Sequence, residues 1–475
     1  MKKNASTRRE FLKTTACVSV AALAAGGRVF AEQNTPPDGF VALFNGKNLD
    51  GWWGAKTEDP RDYMALPPEE LAEKKAASLE GIRQHWRVED GELVNDGTGL
   101  YLTTDKFYGD FELLASYKMA PSADSGIYLR GTPQVSIWDA TDEKKFKHGA
   151  DKGSGGLWNN PPDAPGKDPL VFADNPIGEW ESMRVVMTGE RVSVWLNGKL
   201  VVDHARMHNY YNKRKPEAEH LPLPKEGPFQ LQTHGGEMRW RNLFIREIGP
   251  DEANEILASK NDKGFDSVFN GKDLTGWTGA TENYMVEEGA ITCKPDMGGT
   301  LFTDEQYGDF VVRLEFKLPP GGNNGLAIRY PGEGHGTWDS FCELQVLDDG
   351  HPKYNDPDYE KFYDLNARQA HASVYARVPA HRGYLRPTGE WNFQESTLVG
   401  HTVKVELNGV VILEADVSKV DPETFMYPVD KFKGRDVMKG HFGFNGHNDP
   451  VRFRAIRIKT IKHQQPGDEK DDQGQ

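Results

Sequence analysis

The chain has 475 residues, too many for one ordinary core and enough for two domains of about 200 residues each. Fifty glycines, 29 prolines and 11% aromatic residues imply many turns between short strands rather than long helices. A formal net charge of −15 repels phosphate backbones and anionic lipid, which sets nucleic acid aside as a partner and leaves neutral or cationic ligands, sugars among them.

The first element in chain order is an export signal. Thr7-Arg8-Arg9-Glu10-Phe11-Leu12-Lys13 carries the twin-arginine pattern, Ala16 to Ala25 is modestly apolar, and Val29-Phe30-Ala31 offers small residues to a signal peptidase. Cleavage is predicted after Ala31, giving a signal peptide over 1–31 and a periplasmic or secreted protein. The apolar run is far below the ~20 residues that span a bilayer, so no membrane span is expected. Cys17 precedes most of that run and is not a lipidation site. Removing the signal leaves 51 basic and 71 acidic residues (57 less six, 72 less one), a net of −20. Only Cys293 and Cys342 then remain, enough for one bridge but not for a disulfide framework. The twin-arginine route carries chains already folded, which suits such a protein and would allow a cofactor to be loaded first.

The rest of the chain repeats itself. Phe44-Asn45-Gly46-Lys47-Asn48-Leu49-Asp50-Gly51-Trp52 returns as Phe269-Asn270-Gly271-Lys272-Asp273-Leu274-Thr275-Gly276-Trp277, an offset of 225. Tyr108-Gly109-Asp110-Phe111 returns at Tyr307 with an offset of 199, and Gly178-Glu179-Trp180 and Leu196-Asn197-Gly198 both return at 211. The fall in offset places about 26 extra residues in copy one, and their run Pro67-Pro68-Glu69-Glu70-Leu71 predicts a surface helix within an insertion over about 58–84. The later rise gives copy two about 12 extra residues near Asp348–Ala376. The domains are therefore expected at 38–248 and 264–462, with a linker at 249–263 that holds a short helix near Asp251–Ser259, and a polar tail at 463–475 expected to be disordered.

Within each copy the pattern is strand, turn, strand. FELLASYKM and VVRLEFKL alternate with period two, and RVSVWLNGKLVVD and TVKVELNGVVILE place Asn-Gly between strand-like runs, the preferred two-residue hairpin signal. The closing strands RWRNLFIREI and VRFRAIRIKTI alternate basic with apolar residues, so one face is buried and the other wet. Two sheets packed face to face in each copy are predicted.

These blocks resemble the family called the 3-keto-disaccharide hydrolase domain. Copy two carries VFNGKDLTGW, YGDFVVRLEF, GNNGLAIR, CELQVLDDGH, GEWN, LNG and GHNDPVRFRAIRI in the family's order; copy one follows more loosely. The resemblance implies an all-β protein of two concanavalin A-like jelly-roll sandwiches in tandem. It also implies cleavage of glycosides or disaccharides oxidised at C3, with a sugar 3-dehydrogenase acting upstream. Lectins and glucanases share the sandwich, so a non-catalytic carbohydrate-binding or adhesion protein and a conventional glycosidase stay open as alternatives.

Candidate site residues fall mainly in copy two. Glu343 and Gln345 are two apart on a predicted strand and project from one face, with Asp348 and His351 following where that strand should enter a loop. Arg329 lies on another strand and could hold a sugar hydroxyl or keto oxygen, and His447 precedes the last strand and could act as base, acid or ligand. Glu343, His447 and Asp348 are the catalytic candidates; Arg329, Gln345, His351, Asn324 and Trp338 are the binding candidates, although Asn324 could simply serve the turn. A ketone at C3 acidifies the C2 proton, so a base there, an electrophile at the keto oxygen and an acid for the leaving oxygen would suffice. Glu343, Asp348, His351 and His447 could together suit a divalent metal, without a compact ligand motif. In copy one the counterparts are Arg130, Gln134, Asp139 and His234, with Ser136 in place of Gln345. The missing carboxylate leaves that copy as a sugar binder, an enzyme on another bond, or a support. Trp138, Trp158 and Trp195 could stack on sugar rings but are more readily core residues.

Overall fold

Strand-forming alternation governs both halves of the chain, and the computed structural model, which describes residues 34–462, is nearly all antiparallel sheet. The predicted signal peptide at 1–31 and the tail at 463–475 lie outside the described residues. The chain divides into two compact units at Ile248/Gly249.

In the second unit a five-stranded sheet runs in the order Trp277–Gly279, Gly298–Tyr307, Gly440–His447, Asn323–Tyr330, Cys342–Leu347. A larger sheet of eight strands faces it, centred on Phe310–Lys317 and Arg452–Thr460. Neighbouring strands are mostly distant in sequence, as a jelly roll requires, because hairpins alone cannot interleave the two sheets. The first unit repeats this plan with sheets of eight and five strands, the smaller ordered Trp52–Ala55, Tyr101–Thr104, Gln230–Leu231, Asp124–Leu129, Thr132–Trp138. Each sandwich has its own core. In the second, Phe444 of the smaller sheet stacks on Phe453 of the larger at 4.0 Å and on Trp277 at 5.3 Å, joining the two layers through their inward-facing residues.

Several repeated motifs have structural roles. Asn197-Gly198 and Asn408-Gly409 form two-residue turns with φ of +50° and +77°, and +49° and +81°, the two positive values a tight hairpin needs. In the opening motif, Asn270 accepts the N–H groups of Lys272 and Asp273, and the Trp277 indole N–H donates to the Val268 carbonyl. The tryptophans of the Gly-Glu-Trp blocks cover the wet basic rows: Arg241 lies 3.9 Å over Trp180, and Arg454 lies 4.0 Å over Trp391. The inserted stretch of the first unit forms helices Pro60–Met64 and Pro68–His85, and a third helix, Pro250–Ser259, opens the second unit. Cys293 and Cys342 are both buried and free, so the bridge open to them is not made.

Candidate active site

Strand phase decides which side chains meet. On Cys342–Leu347, Cys342, Leu344 and Val346 enter the core, so Glu343 and Gln345 turn to the opposite face of the smaller sheet. Gly325 lies opposite both Gln345 and Asn445, and Ala327 opposite both Glu343 and Gly443. These small residues make a floor across which Glu343 lies flat. A Cβ on Gly325 would stand 1.9 Å from the Glu343 carboxylate oxygen, so Glu343 lies in this position only while residue 325 carries no side chain. Glu343 thereby reaches His447, with Oε1 to Nε2 at 3.8 Å.

Glu343, Gln345 and Asn445 are 3%, 4% and 6% exposed, whereas 43% of the His447 side chain is open to solvent. The neighbouring Glu343 carboxylate, in close polar contact with the ring and opposite in charge, holds the His447 imidazole above its ordinary pKa, against a smaller opposing effect of burial. Glu343 Oε1, Gln345 Oε1 and Asn445 Nδ2 have no hydrogen-bond partner within the protein. Each such buried group costs about 1–3 kcal/mol if left so, and two acceptors beside one donor suit a polyhydroxylated ligand. Asn445 is fixed by the Thr300 hydroxyl, which donates to its Oδ1 at 2.9 Å. The extra segment of copy two supplies a wall: Tyr375 donates its backbone N–H to the Glu343 carbonyl, and its ring meets Trp338 at 6.1 Å. Burial pushes the Tyr375 hydroxyl up to about 12, so it stays protonated at neutral pH.

Other predicted residues do not join this group. Arg329 is fully buried at φ +53°, on a bulge between Ile328 and Tyr330 that turns its side chain away from the face. It donates to the Gly308 and Gly400 carbonyls and to Asp309, each at 2.8 Å, so its guanidinium braces the Tyr-Gly-Asp-Phe turn instead of a sugar. Asn324 points into the core, where its Oδ1 accepts the Gly325 N–H, and is no substrate contact. Asp348 lies about 16 Å along the strand from Glu343 and accepts from the Gly321 N–H and the Thr388 hydroxyl. His351 accepts the Lys353 N–H and caps a short turn. The four side chains offered as a metal set therefore do not converge, and among the described residues no three His, Cys, Asp or Glu form such a group. Trp338 meets the Tyr375 ring and packs on Tyr427 at 5.3 Å.

Reasoning from sequence missed Asn445 and Tyr375. Asn445 had a readable signal, being two residues before His447 and so on the same face.

In the first unit Arg130 repeats the Arg329 arrangement, at φ +52° with its guanidinium on Asp110 at 2.9 Å, and is likewise no ligand for substrate. Gln134 takes the Glu343 position, within 3.0 Å of where a Gly126 Cβ would stand. Asp139 is held in a turn by the Ser122 N–H and by the Thr141 N–H and hydroxyl. Trp195 lies under Arg184 in the larger sheet.

Comparison with known proteins agrees with the repeat. The profile of the 3-keto-alpha-glucoside-1,2-lyase-like domain matches residues 39–246 and again 264–459. A Bacteroides thetaiotaomicron protein named 3-keto-disaccharide hydrolase is 26% identical over 254 residues, covering 46% of this chain and 86% of that relative. Among solved structures, a putative glycosyl hydrolase from Parabacteroides distasonis aligns at 22% identity over 42% of this chain and 96% of its own, with a TM-score of 0.36. A carbohydrate-binding module from Bacillus subtilis aligns at 12% over 40% and 98%, with a TM-score of 0.26.

Proposed function

Since the chain belongs to the 3-keto-alpha-glucoside-1,2-lyase-like family through both of its halves, we propose that it is an exported enzyme cleaving 3-keto-glycosides or 3-keto-disaccharides, with the chemistry in the second unit. The observation that carries this reading is the Glu343–His447 pair at 3.8 Å on a sheet face that also presents the unpartnered amide of Asn445. Glu343 takes the C2 proton, and the electron pair left at C2 is delocalised onto the C3 oxygen, to which Asn445 Nδ2 donates. The enolate re-forms the ketone as the C1–O bond breaks, and the departing oxygen receives its proton from the His447 imidazolium. An enone and a free alcohol result. Water then adds across C1 and C2: His447 takes a proton from the water as its hydroxyl joins C1, and Glu343 gives its proton back to C2, so both groups are reset and the net outcome is hydrolysis. The acid role falls to His447 because its carboxylate neighbour raises its pKa and so favours the protonated ring.

The substrate ketone must come from a sugar-oxidising dehydrogenase acting earlier. The twin-arginine pattern at Thr7–Lys13 supports action outside the cytoplasm. The test follows aglycone release from a 3-keto-glucoside and from the matching unoxidised glucoside by the protein without its signal. Release from the keto substrate alone, lost in Glu343→Gln and His447→Ala, is expected. Cleavage of both substrates would mark a conventional glycosidase, and binding without release would mark a lectin.

A further inference from the structure

The first unit lacks the Glu343 carboxylate, yet its histidine is not without one. Asp124 opens the strand Asp124–Leu129 two residues before Gly126, the place Asn323 holds before Gly325 in the second unit. Its Oδ2 lies 3.2 Å from His234 Nδ1. Gln134 stands where the second unit has Glu343, and Asp124 stands where it has Asn323, so the carboxylate sits on the neighbouring strand and each unit has a carboxylate beside its histidine. Lys145 fixes the new carboxylate, standing 3.4 Å from it while donating to the Ser122 and Ala123 carbonyls.

The surroundings differ as well. His234 and Asp124 line a cavity of about 310 Å³ with Tyr128, Trp138 and Trp158. The two tryptophans meet edge to face at 6.0 Å, and each donates its indole N–H to a backbone carbonyl; Trp138 is buried, so the partly exposed Trp158 is the ring open to a ligand. Gln232, 7% exposed and lining the same cavity, has a buried Oε1 without a partner. A second cavity of about 620 Å³ lies against the inserted helix at Gly81, Gln84 and His85, and Thr57 and Tyr101 line both spaces. By the 199-residue offset the second unit has Thr300 in place of Tyr101 and Ala327 in place of Tyr128.

We propose that the first unit carries a carbohydrate site of its own, a cleft for a glycan of two or more sugar rings, built around the relocated Asp124–His234 pair and extended by the helical insertion. Flat aromatic faces take the apolar faces of pyranose rings, and the buried amide and charged pair take their hydroxyls. The combined length of the two cavities is what selects an oligosaccharide over a single ring.

The full chain without its signal is titrated with cellotetraose, maltotetraose, xylotetraose and mannotetraose, and with the matching methyl glycosides, by calorimetry and tryptophan fluorescence. One tetrasaccharide is expected to bind at least about tenfold more tightly than its methyl glycoside, and Trp158→Ala and Tyr101→Ala are each expected to weaken it by about tenfold or more. Thr57→Trp, at an exposed position, should block the junction without removing packed atoms, so the test survives if the alanine variants do not fold. Glu343→Gln should leave this binding intact, which separates it from the chemistry of the second unit. Failure of all four tetrasaccharides to bind at about 10 mM, or binding untouched by all three first-unit variants, overturns the inference.

Discussion

Replacing Arg329 by methionine separates a brace from a substrate contact. The change keeps most of the side-chain volume and removes a charge that is fully buried and paired with Asp309 at 2.8 Å. Asp309 keeps the Gly400 N–H, but the carboxylate loses its cation and the Gly308 and Gly400 carbonyls lose their donors. Breaking one side of a buried pair costs about 3–5 kcal/mol. For a unit of this size each kcal/mol lowers the midpoint by about 2–4 °C, so the second unit should melt roughly 6–20 °C earlier. Scanning calorimetry on the full chain reads this directly, with aglycone release from the 3-keto-glucoside measured well below the new midpoint. Arg329→Met should remain active there, and Arg329→Met combined with Asp309→Leu should recover part of the lost stability, because removing both charges ends the mismatch. Unchanged melting with loss of release would refute the brace and return Arg329 to the substrate.

Three further outcomes follow from the same geometry. Glu343→Gln should lower kcat/KM on the 3-keto substrate by about 10²–10⁴-fold with little change in melting, as removal of a general base does. Gly325→Ala should reproduce most of that loss, because its Cβ would stand 1.9 Å from the Glu343 carboxylate; in Gly325→Ala with Glu343→Ala, stability should return and activity should not. The raised pKa of His447 stabilises the folded second unit fully below about pH 6.5, and that contribution disappears as pH rises through the folded value. Titration of His447 by NMR should show this raised midpoint, and Glu343→Gln should bring it down.

The sequence revealed the duplication, the sandwiches and the Asn-Gly hairpins because each leaves a local pattern: order of motifs, period two, turn chemistry. Glu343 and Gln345 were legible through strand parity; His447 was read as a loop residue before the last strand, whereas it ends the strand Gly440–His447, and parity counted back from it reaches Asn445. Asn324 misled because a one-residue change of phase sends it to the core while its neighbours face outward. Arg329 misled because a bulge with positive φ rotates one residue out of the alternation, and nothing in Gly-Leu-Ala-Ile-Arg-Tyr announces the bulge. Asp348 stands close to Glu343 in sequence, but an extended strand converts five residues into distance. Tyr375 comes from an irregular segment whose path depends on packing that periodicity does not encode.

The two free cysteines give the second unit a built-in reporter. Burial pushes the Cys342 thiol up to about 12 and that of Cys293 up to about 11, so neither offers thiolate to an alkylating reagent while the sandwich is closed. A chain cleaved after Ala31 has lost Cys17 and carries no other cysteine. The pace at which label accumulates then clocks how often this half opens, and the first half stays silent in the same experiment.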